Sequence, residues 1–124
     1  MLDYYLMKIS KQSFFISNEK KPRALVAIKD IKDACPYSIW VSSQGIVLGR
    51  VLDEGMVAWR YCPEHDKEKN IIGLRFLGDC LLDDDVLFMA LAPYVRTGSY
   101  LEITSSEGKW RWSFRNEQMF WDPC

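Results

Sequence analysis

Apolar and polar positions alternate most clearly near the C-terminus, from residue 101 to residue 114. A short polar stretch, Ser105 to Gly108, interrupts the alternation and has the length of a four-residue turn. A period of two is typical of strands with one buried face, and opposed residues of an antiparallel pair lie on the same face. The pattern therefore predicts a hairpin with four opposed pairs: Leu101 with Trp112, Ile103 with Trp110, Glu102 with Arg111 and Thr104 with Lys109.

Two other segments have the spacing of helices that bury one side. After Pro22, which suits the first turn of a helix, apolar residues recur every three or four positions up to Pro36: Ala24, Ala27, Ile28, Ile31 and Ala34. The acidic run Asp83-Asp84-Asp85 precedes a wholly apolar stretch, Val86 to Ala92. Because carboxylates at a helix N-terminus accept free N–H groups and oppose the dipole, we predict a largely buried helix that begins there and ends at Pro93.

Shorter apolar runs predict the remaining elements. We expect strands at Tyr4–Ile9, with Phe14–Ile16 as an extension or a second strand, and at Ser38–Ser42; a short helix at Ile46–Glu54, ended by Gly55; and a hairpin of Met56–Cys62 and Asn70–Leu77 joined by a polar loop. In the last strand, alternation places Ile72, Leu74 and Phe76 on one face.

This order of elements predicts the fold class. Helices interspersed with antiparallel hairpins are typical of α+β proteins. The chain has 124 residues and no repeat or linker-like stretch, which suits one domain of about 100–200 residues. We therefore expect a single domain over residues 1–124, built on a single mixed, mostly antiparallel sheet of five to seven strands, with two or three helices packed on one face.

Charge and aromatic content bear on nucleic-acid binding. The net charge is −1, whereas a dedicated nucleic-acid binder would be markedly basic. A stacking platform needs aromatic and basic side chains together on one accessible face, but alternation separates Arg111 from Trp110 and Trp112 in the predicted hairpin. Phe120 and Trp121 fall outside this pattern and are expected at the surface. We therefore expect no nucleic-acid partner.

The cysteines and the N-terminus bear on the cellular compartment. The four cysteines have no repeating spacing of the disulfide-framework kind: Cys35, Cys62, Cys80 and Cys124. The first residues lack the basic and apolar regions of a signal peptide, and no segment approaches the ~20 apolar residues of a membrane span. We expect reduced thiols, no membrane partner and a cytoplasmic setting, in a bacterium or a viral host.

Residues suited to catalysis or metal binding are sparse. His65 is the only histidine and lies in a polar loop, whereas a catalytic base is usually oriented by a third group within a cleft. Cys62 and His65 have the spacing of one zinc-ligand pair, but a structural zinc site needs four ligands. No glycine-rich phosphate-binding motif is present. We therefore expect no enzymatic activity, no metal and no cofactor.

The second half of the chain resembles a recurring pattern in small bacterial proteins of about this length. The resemblance covers about residues 57–115 and is carried by these segments: Leu77-Gly78-Asp79, Val86-Leu87-Phe88, Ala92-Pro93-Tyr94-Val95, Gly98-Ser99-Tyr100, Glu102 and Trp110-Arg111-Trp112 within Gly108–Phe114. It departs from the pattern at Ser105-Ser106, where a glycine and an acid are usual. The resemblance implies the same fold class and a bacterial cytoplasmic setting, and no particular mechanism.

The middle of the chain has the charge imbalance that bears on function, since the excess of +3 over residues 1–34 is not assigned a role. Residues 49–85 hold nine acidic and five basic groups, a local charge of −4. Acidic surfaces steer and hold basic partners, and many bacterial toxins are basic nucleases. We therefore expect an immunity protein that neutralises a toxin by direct binding, through Glu64, Asp66, Asp83, Asp84 and Asp85. The alternative is a non-catalytic small-ligand-binding or regulatory domain with a pocket between sheet and helices.

Overall fold

A computed structural model describes residues 7–31, 51–78, 84–106 and 108–123. Within these residues the protein is α+β, with nine regular elements: β1 (Met7–Ser13), α1 (Lys21–Lys29), α2 (Leu52–Ala58), β2 (Tyr61–His65), β3 (Ile71–Phe76), α3 (Asp84–Leu91), β4 (Tyr100–Ser105), β5 (Gly108–Arg115) and β6 (Gln118–Pro123). Short 3₁₀ turns precede α1 and follow α3.

Four antiparallel strands form the larger sheet, in the order β1-β4-β5-β6. The predicted hairpin is confirmed in every pair, since Leu101 opposes Trp112 and Ile103 opposes Trp110, with the charged pairs between them. Its apolar residues are buried, with Trp112 only 1% exposed. The strand β6 was not predicted; it follows a two-residue turn, Asn116-Glu117, in which both residues have positive φ.

The prediction of one sheet of five to seven strands is wrong, because β2 and β3 form a separate two-stranded sheet. The sheets meet at one end, where Ile16 and Ile71 exchange two backbone hydrogen bonds of 3.0 and 2.9 Å. Farther along, the side chain of Gln12 links the two strands, accepting from the Leu74 N–H at 2.8 Å and donating to its carbonyl at 2.9 Å. The strands β1 and β3 therefore diverge, and the ladder ends.

The core lies between the larger sheet, α3 and the small hairpin. Phe88, on α3, is its centre: its ring lies 4.9 Å from Trp112, 5.1 Å from Tyr61 and 6.3 Å from Phe14, between ring centroids. Each of these rings is 2% exposed or less. Since aromatic pairs at such distances stabilise beyond the area they bury, this cluster holds four segments of the chain together.

The helix predicted to end at Gly55 instead runs through it, from Leu52 to Ala58, and β2 begins only at Tyr61. A Cβ at position 55 would lie 3.3 Å from Leu25 Cδ1. Glycine at this position therefore permits the close approach of α1 to α2 and does not end the helix. The hairpin of β2 and β3 is confirmed, with a later start than the sequence suggested.

Four further predictions concern single elements. The helix that begins near Pro22 is confirmed as far as Lys29, while Ser38–Ser42 lies outside the described residues. Helix α3 is buried on one side only, because Met89 is 53% exposed. In β3, Leu74 is buried but Ile72 is 47% exposed, so the predicted apolar face is not uniformly covered.

Candidate functional site

Asp84, one of the five predicted binding residues, is completely buried. Arg60 Nη2 lies 3.0 Å from its Oδ1 and 3.3 Å from its Oδ2, and the Tyr61 hydroxyl donates to Oδ2 at 2.5 Å. A buried carboxylate is tolerated when it is paired and hydrogen-bonded, as here. The prediction that Asp84 belongs to a binding surface is therefore wrong: it joins α3 to the start of β2.

Arg60 occupies an unusual backbone position. Its φ of 76° lies in the left-handed region, directly after the last turn of α2, where glycine is common. Its guanidinium also lies 5.0 Å from the centroid of the Phe76 ring. The positive φ by itself would favour glycine at this position, and the side-chain contacts with Asp84 and Phe76 explain why it is an arginine.

Asp66, a second predicted binding residue, organises the β2–β3 loop. Its Oδ1 accepts from the backbone N–H groups of Glu68 and Asn70, both at 2.9 Å, and Oδ2 accepts from Asn70 Nδ2 at 3.1 Å. The hydrogen bond from the Asn70 side chain, with those from the two backbone groups, holds the pKa of Asp66 below its usual value. This carboxylate is engaged by its own loop.

The three other predicted acidic residues differ in what the structure shows of their exposure. Glu64, on β2, and Asp85, in the first turn of α3, are exposed. Asp83 lies outside the described residues. The structure therefore leaves Glu64 and Asp85 as the fully exposed described carboxylates of this set, while Asp66 is half-buried and bonded within its own loop.

Glu64 lines a cleft of about 320 Å³ between the two sheets. The cleft opens where β1 and β3 diverge, and its walls come from both strands: Met7, Lys8, Ile9 and Gln12 on one side, and Leu74, Arg75 and Phe76 on the other. Gly73 leaves room for the Glu64 side chain, since a Cβ at position 73 would lie 3.0 Å from Glu64 Oε1. This cleft lies between two sheets, whereas the pocket expected for a ligand-binding domain lay between sheet and helices.

The face of the larger sheet opposite the core is a second candidate surface, which we call the outer sheet face. By register it carries seven charged side chains, namely Lys8, Lys11, Lys109, Arg111, Arg115, Glu102 and Asp122. Five are cationic and two anionic, so the face has a net charge of +3. Lys8, Lys11, Lys109 and Arg115 are exposed.

Two arginines of the outer sheet face lie over aromatic rings. The Arg111 guanidinium is 4.1 Å from the Tyr100 ring centroid and 3.4 Å from Glu102 Oε2. Arg115 lies 4.2 Å from the Phe120 ring centroid and 3.6 Å from Asp122 Oδ2. Ser113 is buried between the two rings, because Tyr100 and Phe120 are its neighbours on either side.

The contacts of these arginines with aromatic rings could not be predicted from the sequence of β5 alone. Alternation within β5 correctly separates its arginines from its tryptophans, but the neighbouring strands bring Tyr100 and Phe120 to the arginine side. The missed strand β6 supplies Phe120, which is half-buried. The signal was the Asn116-Glu117 turn, since asparagine readily adopts positive φ in a two-residue hairpin turn. Trp121, expected at the surface, is 59% exposed.

The only histidine is less isolated than its loop position suggested. His65 Nε2 lies 3.1 Å from Asp53 Oδ2, and Lys21 Nζ lies 3.8 Å from Asp53 Oδ1, so α1, α2 and β2 meet here. In the described part of the chain, no hydrogen bond joins His65 to a serine or cysteine. Nor do those residues contain a group of three side chains placed to hold a metal ion. Cys62 is a free thiol.

Comparisons with known proteins give no relative. No family model, curated protein or solved structure matches the chain. None of the described helices is both long enough and apolar enough to cross a membrane.

Proposed function

We propose that this chain is a non-catalytic protein-binding domain of the immunity type, which neutralises a bacterial toxin in the cytoplasm by direct binding. The observation that carries the proposal is the outer sheet face, with five cations, of which two are guanidiniums held over aromatic rings. The free thiol of Cys62 suits a reducing compartment such as the cytoplasm.

The fixed arginines favour binding for an energetic reason. Immobilising a flexible side chain at an interface costs about 0.5–1.5 kcal/mol. Arg111 and Arg115 already lie over Tyr100 and Phe120 in the folded protein. Part of their conformational freedom is therefore lost on folding and not on binding. Arginine is also among the residue types that dominate binding energy in protein interfaces, because its planar fork binds carboxylates in pairs.

The charge of this face defines the partner. A net charge of +3 favours a toxin whose contact surface is acidic, since complementary charges accelerate association and exclude wrong partners. Glu102 and Asp122, on the same face, disfavour a nucleic acid, whose phosphates they would repel. The expectation of a basic toxin came from the acidic middle of the chain, whose exposed members Glu64 and Asp85 lie on other elements than this face.

The test uses the tagged full chain as bait in extracts of its native host, with two matched double variants. Lys11→Glu/Lys109→Glu reverses two exposed cations of the outer sheet face, and Glu64→Lys/Asp85→Lys reverses the two exposed carboxylates. The wild type and the second variant should retain the same stoichiometric partner, and the first should lose it while melting at nearly the same temperature. Binding should also weaken as salt rises.

The opposite result would identify the other surface. If Glu64→Lys/Asp85→Lys loses the partner and Lys11→Glu/Lys109→Glu keeps it, the partner is basic and the outer sheet face is not the interface. If neither variant changes what is retained, both charged surfaces are excluded as the interface.

A further inference from the structure

Ser113 lies near the centre of the outer sheet face and is surrounded by four longer side chains. By register, Tyr100 and Phe120 flank it on the two neighbouring strands. Arg111 and Arg115 precede and follow it on the same face of β5, since side chains alternate along a strand. Ser113 is only 8% exposed. This short side chain therefore forms the floor of a depression among long ones, which we call the Ser113 hollow.

The hydroxyl of Ser113 has no hydrogen-bond partner in the part of the chain that the structure describes. Its oxygen is nevertheless not sealed from solvent. A polar side chain that is nine-tenths buried is normally hydrogen-bonded, and an exception calls for an explanation. A polar group seated in the hollow would give this hydroxyl the partner that it lacks.

Two guanidiniums lean toward the hollow from opposite ends. The Arg111 guanidinium lies 4.1 Å from the Tyr100 ring centroid, and the Arg115 guanidinium lies 4.2 Å from that of Phe120. Both rings belong to residues that pair with Ser113 and not with the arginines. Since these two strands lie on either side of β5, the rings are about 9.5 Å apart, or two strand spacings. One carboxylate that accepts from both guanidiniums, over about 2.8 Å each, needs a separation of that order.

The charges around the hollow favour a ligand with a single negative charge. Glu102 Oε2 lies 3.4 Å from Arg111 Nη2, and Asp122 Oδ2 lies 3.6 Å from Arg115 Nη1. Both contacts are longer than the usual 2.7–2.9 Å or so of charge-assisted hydrogen bonds, so each guanidinium keeps N–H groups for a ligand. The two carboxylates repel a dianion such as a phosphate monoester more strongly than a monoanion. A carboxylate fits this balance of charge.

We propose that the Ser113 hollow binds one carboxylate, supplied by an aspartate or glutamate side chain of the partner protein. Arg111 and Arg115 donate to it from opposite sides, and the Ser113 hydroxyl donates from the floor. The rings of Tyr100 and Phe120 hold the two guanidiniums in place. The inference rests on the proposed function, since it names the group that an acidic partner presents at the centre of the outer sheet face.

The first test uses the full-length protein alone, with acetate as the probe and chloride at equal ionic strength as the control. In NMR titrations, acetate should shift the Nε–H resonances of Arg111 and Arg115, and chloride should leave them nearly unchanged. Ser113→Ala keeps every charge and removes the hydroxyl, so it should weaken acetate binding about threefold or more. Thr104→Val removes another hydroxyl of the same face and should bind acetate as the wild type does. Equal shifts with both anions, or unchanged acetate binding in Ser113→Ala, would overturn the site.

The second test uses the partner that the wild-type chain retains from host extracts. Arg111→Lys/Arg115→Lys keeps both charges and removes the planar forks, so it should weaken partner binding about tenfold or more without lowering the melting temperature. Suppose that Lys11→Glu/Lys109→Glu loses the partner, whereas Arg111→Lys/Arg115→Lys and Ser113→Ala keep wild-type affinity. The outer sheet face is then the interface, and the hollow is refuted as its carboxylate site. If no variant of this face changes partner binding, the proposed function and this inference both fail.

Discussion

Two regions of the interior meet on α3 and are stabilised by opposite means. Phe88 packs into an aromatic cluster with Trp112 and Tyr61, and no charge is involved. One helical turn earlier, Asp84 brings a carboxylate into the interior, where Arg60 and the Tyr61 hydroxyl bind it. The aromatic cluster is stabilised by apolar burial. Substitutions that change the shape of a side chain there are destabilising, and those that introduce a polar group are more so. The ionic cluster depends on every partner being present.

This difference predicts how the stability of each region should respond to substitution. An apolar contact can be weakened by degrees, because a smaller ring still excludes water from the same site. A buried charge cannot be weakened by degrees in this way, since the removal of one partner leaves the other without its counterion. The two regions are therefore expected to respond differently to conservative substitution.

The largest effect is expected in the aromatic cluster. Trp112→Ala should lower the free energy of unfolding by about 3–5 kcal/mol, because it leaves a large cavity beside Phe88. Trp112→Phe should cost less than half as much, since it keeps an aromatic ring and the Trp112 indole N–H has no hydrogen-bond partner to lose in the described residues. Urea unfolding of both variants measures the difference. Equal losses would mean that the indole N–H is bonded.

The ionic cluster should respond to a nearly isosteric change. Asp84→Asn removes one of the two charges of this pair, and the other, on Arg60, has a side chain that is only 18% exposed. We expect a loss of about 2–3 kcal/mol, because the hydrogen bonds from Arg60 and Tyr61 then reach a neutral amide instead of a carboxylate. The double variant Arg60→Gly/Asp84→Asn should lose less than the two single changes added together, because both remove the same pair and glycine suits the left-handed backbone. Strict additivity would refute the coupling.

These two regions also explain how far sequence reasoning reaches. The hairpin of β4 and β5 could be predicted because its register follows from alternation within 14 residues, and a slip would bury Glu102 and Arg111. The burial of Asp84 could not be predicted in this way. Its partner lies 24 residues away, and an acidic run before an apolar helix is equally typical of exposed capping carboxylates.

The candidate surfaces, too, could be predicted from the sequence only where they depend on residues that are close together in the chain. Arg111 and Glu102 were placed correctly on one face by local pattern, whereas the contribution of Phe120 required a strand that was not predicted. Gly55 was assigned to a helix end, although close packing against Leu25 accounts for it. The cleft depends on the divergence of β1 from β3, two strands that are about 60 residues apart in the chain, so no local pattern could indicate it.

A smaller effect should follow when the ionic cluster is disturbed from outside. A Cβ at Gly78 would lie 2.6 Å from Arg60 Nη1 and 2.8 Å from Phe76 Cζ. Arg60 cannot move away without weakening its bond to Asp84, so Gly78→Ala should cost about 1–2 kcal/mol, as other overpacked sites do. Gly73→Ala is the matched control, because its closest neighbour is the mobile end of the Glu64 side chain. Thermal melts should place Gly73→Ala near the wild type, and a larger loss there than at position 78 would contradict the argument.

The smallest effect concerns Asp66, a carboxylate bound by hydrogen bonds outside either interior region. The Asn70 side chain and the backbone N–H groups of Asn70 and Glu68 hold its pKa below the usual value of 3.8. A lowered pKa in the folded state means that its contribution to stability is fully present above the unfolded pKa and is lost as pH falls through the folded pKa. The β2–β3 loop should therefore loosen only below about pH 4, where the Asn70 amide resonance should shift along the Asp66 titration. In Asp66→Asn that pH-dependent shift should disappear. If Asp66 instead titrates at or above its usual value, the loop does not bind the carboxylate in the way its hydrogen bonds indicate.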